Sequence, residues 1–150
     1  MSSTKERLQD DVKAALKAGD RARLGVLRMV MAAIKQREVD SRETLDDGTV
    51  LGILEKMVKQ RQDAIIQFER GGRNDLVTKE TAEIDVIRTY LPEPLDEAAL
   101  TTLIEAAITD TGATAPSDMG RVMAEIKKNA AGRADMGQVS QLVRARLTAG

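Results

Sequence analysis

An all-α fold, arranged as an N-terminal four-helix bundle followed by a small three-helix domain, is what this 150-residue chain predicts. Three observations carry that expectation. Val, Ile, Thr and the aromatics never alternate with the period of two that a half-buried strand requires. Apolar residues instead recur three and four positions apart, as on one face of a helix. Capping residues, glycines and prolines punctuate the chain at helix-sized intervals.

The first helix starts at a capping box, Ser3 with Glu6 three residues on, and runs to about Ala18 before Gly19 stops it. Asp20 can cap a longer second helix to about Arg42, with Leu24, Leu27, Met31 and Ile34 on one stripe. Asp46 or Asp47 begins the third, in which Leu51, Leu54, Val58, Ile65 and Phe68 recur, and Gly71-Gly72 closes it. Asp75 is the expected cap of the fourth, whose buried face is Val77, Ile84, Ile87 and Leu91. Pro92 and Pro94 forbid its continuation and stiffen a connector, so a domain junction is expected there, dividing 1–91 from 92–150. Three shorter helices follow: from Asp96 to about Thr111, from Ser117 to about Ala130, and from Asp135, with Gln138 as a second box-like start, to the C-terminus. Short connections imply antiparallel neighbours.

Composition then removes whole classes of chemistry. The chain has no Cys, no His and no Trp, and its only aromatic residues are Phe68 and Tyr90. That excludes imidazole bases, thiol nucleophiles, Ser-His-Asp triads, CxxC redox pairs and the usual ligands of zinc, iron–sulfur clusters and haem. Carboxylates, lysines and hydroxyls remain, and no set of them forms an evident catalytic or metal-binding group; no cofactor is expected. The segment from Met1 to Leu16 has no apolar signal-peptide centre and no window approaches a membrane span, so a soluble, cytoplasmic protein is expected, with no membrane partner.

Charged residues make up 31% of the chain yet nearly cancel, to a net −1. The distribution is uneven. Every charged residue from Pro92 to Ala115 is acidic, whereas beyond Pro116 Arg121, Lys127, Lys128, Arg133, Arg144 and Arg146 outweigh Asp118, Glu125 and Asp135. If RNA is bound, this basic end is where phosphates should sit, through Arg121, Lys127, Lys128 and Arg133, because so few aromatics leave little base stacking. Lys127 and Lys128 also suit the negative pole of their own helix. Gly120, just inside that helix, costs up to about 1 kcal/mol against Ala. Such a cost points to close backbone approach, by the preceding helix or by a partner. Gly132-Arg133-Ala134-Asp135 reads as stop, exposed cation, spacer and cap.

Three other constellations stay open between a function and an ordinary surface. Arg21, Arg28, Lys35 and Arg42 recur every seven residues and would form a drifting row that either tracks phosphates or pairs with neighbouring carboxylates. The loop from Gly71 to Asp75 could offer amides and Arg73 to an anion, or merely join a glycine stop to an Asp cap. Glu80 and Glu83, with Asp85 nearby, could hold Mg²⁺ or share a proton, or simply be solvated.

Four stretches together resemble the YqeY-like family, also called GatB/YqeY-domain proteins. They are Leu27-Arg28-Met29-Val30-Met31-Ala32-Ala33-Ile34-Lys35; Lys59-Gln60-Arg61-Gln62-Asp63-Ala64-Ile65 with Phe68, Gly71, Gly72 and Arg73; Asp75-Leu76 through Glu80, Glu83, Ile84, Tyr90, Leu91 and Pro92; and Met119-Gly120-Arg121-Val122-Met123 with Gly132-Arg133-Ala134-Asp135. The resemblance spans nearly the whole chain and implies a four-helix and a three-helix domain. The last third is similar to the tail of the B subunit of the glutamine-dependent tRNA amidotransferase, a tail that contacts tRNA. The ammonia-receiving chemistry of that enzyme, a carbon–nitrogen ligase with glutamine as amide donor, belongs to a separate domain with no counterpart in this sequence. Carried over residue by residue, the resemblance implies an RNA-facing surface at Gly120, Arg121, Lys127, Gly132 and Arg133.

The expected function is therefore a noncatalytic accessory protein for tRNA or another structured RNA, with the N-terminal bundle as scaffold or docking platform. A protein-interaction adaptor is the alternative, and an amidotransferase acting alone, or a hydrolase built on Glu80 and Glu83, the third. Oligomeric state is left open.

Overall fold

The computed structural model describes residues 3–149. In chain order its helices are α1 (Thr4–Ala18), α2 (Arg21–Ser41), α3 (Asp47–Arg70), α4 (Asn74–Arg88), α5 (Glu97–Thr111), α6 (Met119–Ala130) and α7 (Met136–Ala149). No strand occurs among the described residues. The fold is all-α. Two compact units divide between Leu91 and Pro92, α1 to α4 in the first and α5 to α7 in the second.

Helix starts follow local hydrogen bonding. The Ser3 hydroxyl and the carboxylates of Asp20, Asp46 and Asp96 each accept from the backbone N–H three residues on, at Glu6, Arg23, Thr49 and Ala99. Each such cap stabilises by about 1 kcal/mol. Asp46 rather than Asp47 caps α3. Asp47 Oδ1 instead accepts from the Thr4 N–H at 2.8 Å, tying the starts of α1 and α3 together.

Two expectations about helix starts fail for identifiable reasons. Asp75 is not the cap of α4: Arg73 occupies that position without a side-chain cap bond, and Asp75 lies within the first turn. There its carboxylate takes the Arg73 guanidinium at 3.2 and 3.1 Å. Ser117 does not start α6, because a 3-10 turn over Pro116–Asp118 comes first. Arg42 lies just past α2 as its C-cap, in the left-handed region at φ 57. That conformation costs a non-glycine residue roughly 1 kcal/mol.

In the first unit Leu8, Leu27, Ile34, Leu54 and Ile87 are fully buried, with Val30 and Val50 beside them. The buried face of α2 is wider than its predicted stripe, taking in Val26 and Val30 as well, because α1, α3 and α4 all pack on this helix. Met31, Leu51, Ile65 and Leu91 are only partly buried at the margin of the same core. The second unit closes around Val122, Ile126, Val139 and Val143, where α6 packs on both α5 and α7.

Two polar clusters fasten the first unit. Arg61 on α3 and Glu83 on α4 are nearly buried, their side chains 12% and 10% exposed, with Nε 3.7 Å from Glu83 Oε2 and 3.9 Å from Glu80 Oε2. The guanidinium donates instead to the Met57 carbonyl at 3.1 Å and the Met29 sulfur at 3.3 Å, which leaves Arg61 Nε and Glu83 Oε2 without hydrogen bonds. Near the end of α4, the Tyr90 hydroxyl donates to Asp11 Oδ2 at 2.5 Å, Arg23 donates to the same hydroxyl at 3.4 Å, and Arg7 sits over the ring at 5.2 Å. Burial and then the Asp11 carboxylate push the Tyr90 phenol from 10 up to about 12.

Replacing Arg61 with Leu strands two carboxylates beside the core and should cost about 3–5 kcal/mol. Arg61→Leu combined with Glu83→Leu should recover much of that loss; urea unfolding that finds the double variant no more stable than the single one contradicts this account. Tyr90 is the only Tyr, in a chain without Trp, so tyrosinate absorbance reports it directly. A raised folded value means the neutral phenol's contribution to stability is intact below pH 10 and disappears as pH climbs through about 12. Asp11→Asn should move the titration towards 10, and an unchanged midpoint would rule out the Asp11 contact as a cause.

Candidate nucleic-acid interface

Helix α6 carries most of the residues singled out for RNA. Its buried side is Val122, Ile126 and Ala130, which turns Gly120, Arg121, Ala124, Lys127 and Lys128 outward. Gly120, Ala124 and Lys127 stand at i, i+4 and i+7 and so share one row, with Arg121 and Lys128 in the adjacent row. A side chain at Gly120 would meet nothing within 4 Å. Close approach by the preceding helix therefore does not explain this glycine, and the helix presents bare backbone in its first turn, beside Arg121.

Several of those cations already have partners. Arg121 pairs with Asp118 at 2.6 Å and donates to the Thr111 carbonyl at 3.2 Å, while its side chain stays 61% exposed. Asp118 in turn accepts from the N–H groups of Thr114 and Ala115. The Thr114 N–H first, then Arg121 and the Ala115 N–H, hold its carboxyl down at about 2. Lys128 pairs with Glu125 at 3.1 Å. Lys127 has neither a hydrogen bond nor an ion pair among the described residues.

Arg133 is not the exposed cation that its sequence suggests. It is half-buried, its Nε donates to the Glu93 carbonyl at 2.9 Å, and its own carbonyl accepts from the Leu95 N–H at 2.9 Å. Gly132 before it is buried at φ 74, which lets the chain reverse after α6 and aim Arg133 at the 93–95 segment. These two residues shape the connector. Beyond them Gly137 N–H donates to Asp135 Oδ1 at 2.9 Å as α7 begins.

The row on α2 is exposed at Arg21, Arg28 and Lys35. Arg42 falls off the helix, so the row has three helical members rather than four. Carboxylate pairing does not account for Arg21 or Arg28, neither of which has a partner among the described residues. The loop from Gly71 to Asp75 offers no free guanidinium, since Arg73 is held by Asp75. Glu80 and Glu83 face Arg61 across α3 and α4 instead of lying solvated side by side, and among the described residues no group of three or more Asp or Glu is placed to hold a metal ion. Sequence reasoning quoted Arg61 without assigning it a role. Its signal, a cation on the inward side of α3, becomes readable only once the α4 register is known.

No helix among the described residues is long and apolar enough to cross a membrane. Three curated relatives from fungi share the name "Altered inheritance of mitochondria protein 41, mitochondrial". The Vanderwaltozyma polyspora protein is 36% identical over 85 residues, 56% of this chain and 46% of its own length. The one from Kluyveromyces lactis is 37% identical over 84 residues, 55% of this chain and 45% of its own. That of Pyrenophora tritici-repentis is 30% identical over 129 residues, 83% of this chain and 71% of its own. Against the first two the chain spans about half the length of the relative it matches. A family model described as "Yqey-like protein" matches residues 5–147, and the chain belongs to that family.

Proposed function

We propose that this chain is a noncatalytic accessory protein that holds tRNA or another structured RNA by its phosphates, using the outward face of α6. The observation that carries the proposal is the pairing of bare backbone at Gly120 with the unpartnered ammonium of Lys127 two turns away on the same face. Arg121 and Lys128 flank that row: Lys128 can exchange Glu125 for a phosphate at little cost, because exposed ion pairs are worth about 1 kcal/mol or less, while Arg121 keeps Asp118 and presents the rest of its exposed guanidinium. Recognition would be of backbone and shape, since α6 has no aromatic side chain on which a base could stack. The similarity of the last third to the tRNA-contacting tail of an amidotransferase subunit supports the same surface, with Gly132 and Arg133 shaping the turn beside it. A cytoplasmic setting belongs to this proposal; the word mitochondrial belongs to the relatives' names.

Binding of labelled tRNA by the full chain should weaken as salt rises, with a logarithmic slope of about −2 to −3 for three phosphate contacts. Lys127→Ala should lower affinity and flatten the slope by about 1. Absence of binding at low salt, or a slope indifferent to Lys127→Ala, overturns the assignment.

A further inference from the structure

The first unit holds a second surface that RNA binding through α6 leaves unused. Helices α1 and α2 run antiparallel, with Lys5 against Glu38 and Asp11 against Arg23, and between them lies a cleft of about 560 Å³. Lys5 and Gln9 line one wall, Ala32, Lys35 and Val39 the other. Glu38 lines it too, but its carboxylate is already engaged: Lys5 Nζ donates to both oxygens at 2.9 and 3.0 Å and the Leu45 N–H to one at 3.3 Å. Arg21, Arg28 and Lys35 stand along α2 at seven-residue intervals, and Lys13 continues the Gln9 face of α1 with no partner among the described residues.

Apolar exposure marks the same face. Val39 is 61% exposed beside the cleft, and Leu16, on the Gln9–Lys13 face of α1, is 59% exposed. Phosphates gain nothing from aliphatic side chains, and neither α1 nor α2 contains an aromatic residue for bases to stack on. A packed helix gains from both features. Its apolar seam can cover Leu16, Val39 and the cleft, and a cation every seven residues, two helical turns, is the period at which a helix laid alongside repeats its own flanking positions.

We propose that the α1–α2 groove docks an amphipathic helix of a partner protein whose acidic residues recur every seven positions along the edge of its apolar face. From Arg21 to Val39 the face of α2 spans about 27 Å, at 1.5 Å per residue, with the cleft at its Val39 end, which matches a partner helix of roughly 18 residues.

The test uses the full chain and a labelled 21-residue synthetic peptide with Leu along one face and Glu at three flanking positions seven apart, beside a counterpart with Lys at those three positions. The Glu peptide should bind at least about tenfold more tightly than the Lys peptide, a difference of about 1.4 kcal/mol. Arg28→Glu and Val39→Asp, both at exposed sites, should each weaken the Glu peptide about tenfold with circular dichroism unchanged, and a peptide bearing Arg at one Glu position should regain affinity for Arg28→Glu. Equal binding of the two peptides, or indifference to both substitutions, overturns the proposal. Loss of tRNA binding in Arg28→Glu with peptide binding intact would give the row to nucleic acid instead.

Discussion

Both units are closed by aliphatic side chains, and that constraint governs everything on their surfaces. With two aromatic residues in the whole chain, and only Tyr90 of the two fully within a core, burial depends on many Leu, Ile and Val side chains meeting at helical spacing. Each fully buried one stabilises by about 1.5–3 kcal/mol, so no single residue dominates and long helices are needed to collect enough of them. Long helices carry long outer faces. Those faces hold the charge, and the distribution of partners among the charges then decides which surfaces remain available.

Seen in this way, the cations divide into two kinds. Arg61, Arg23 and Arg133 are turned to carboxylates, a phenol or a carbonyl within their own unit and act as fasteners. Lys127, Arg21 and Arg28 have no such partner among the described residues. An inward-facing guanidinium cannot serve a ligand without disrupting the packing around it, whereas an unpartnered ammonium on an outer face can do so at no internal cost. The RNA-holding proposal and the helix-docking proposal draw on this second kind, on different units.

Local features of the structure were legible in the sequence because their causes are local. Ser3, Asp20, Asp46 and Asp96 cap helices through an N–H three residues away, and Pro92 and Pro94 lie in a connector without helix, although α4 itself already ends at Arg88. Asp75 shows the limit of that reasoning: the cap position is set by where the Gly71-Gly72 turn releases the chain, and Asp75 falls two residues too late. The contacts of Asp47 with Thr4, Tyr90 with Asp11 and Arg61 with Glu83 join distant residues and leave no periodic trace. At the candidate interface, Lys127 and Lys128 are exposed near the end of their helix, but Gly120 is open where its cost in a helix points first to packing against the preceding helix, and Arg133 is misjudged, since a half-buried arginine and an exposed one look alike until the connector that receives it is in place.

The central claim is that the outward face of α6 holds RNA phosphates. Amide chemical shifts of the labelled full chain, followed while tRNA is added at low salt, address it most directly. The account predicts the largest changes at Gly120, Ala124, Lys127 and Lys128, with the amides of α3 and α4 around Arg61 and Glu83 unmoved. Changes centred on α3 and α4, or none anywhere at saturating tRNA, would contradict it.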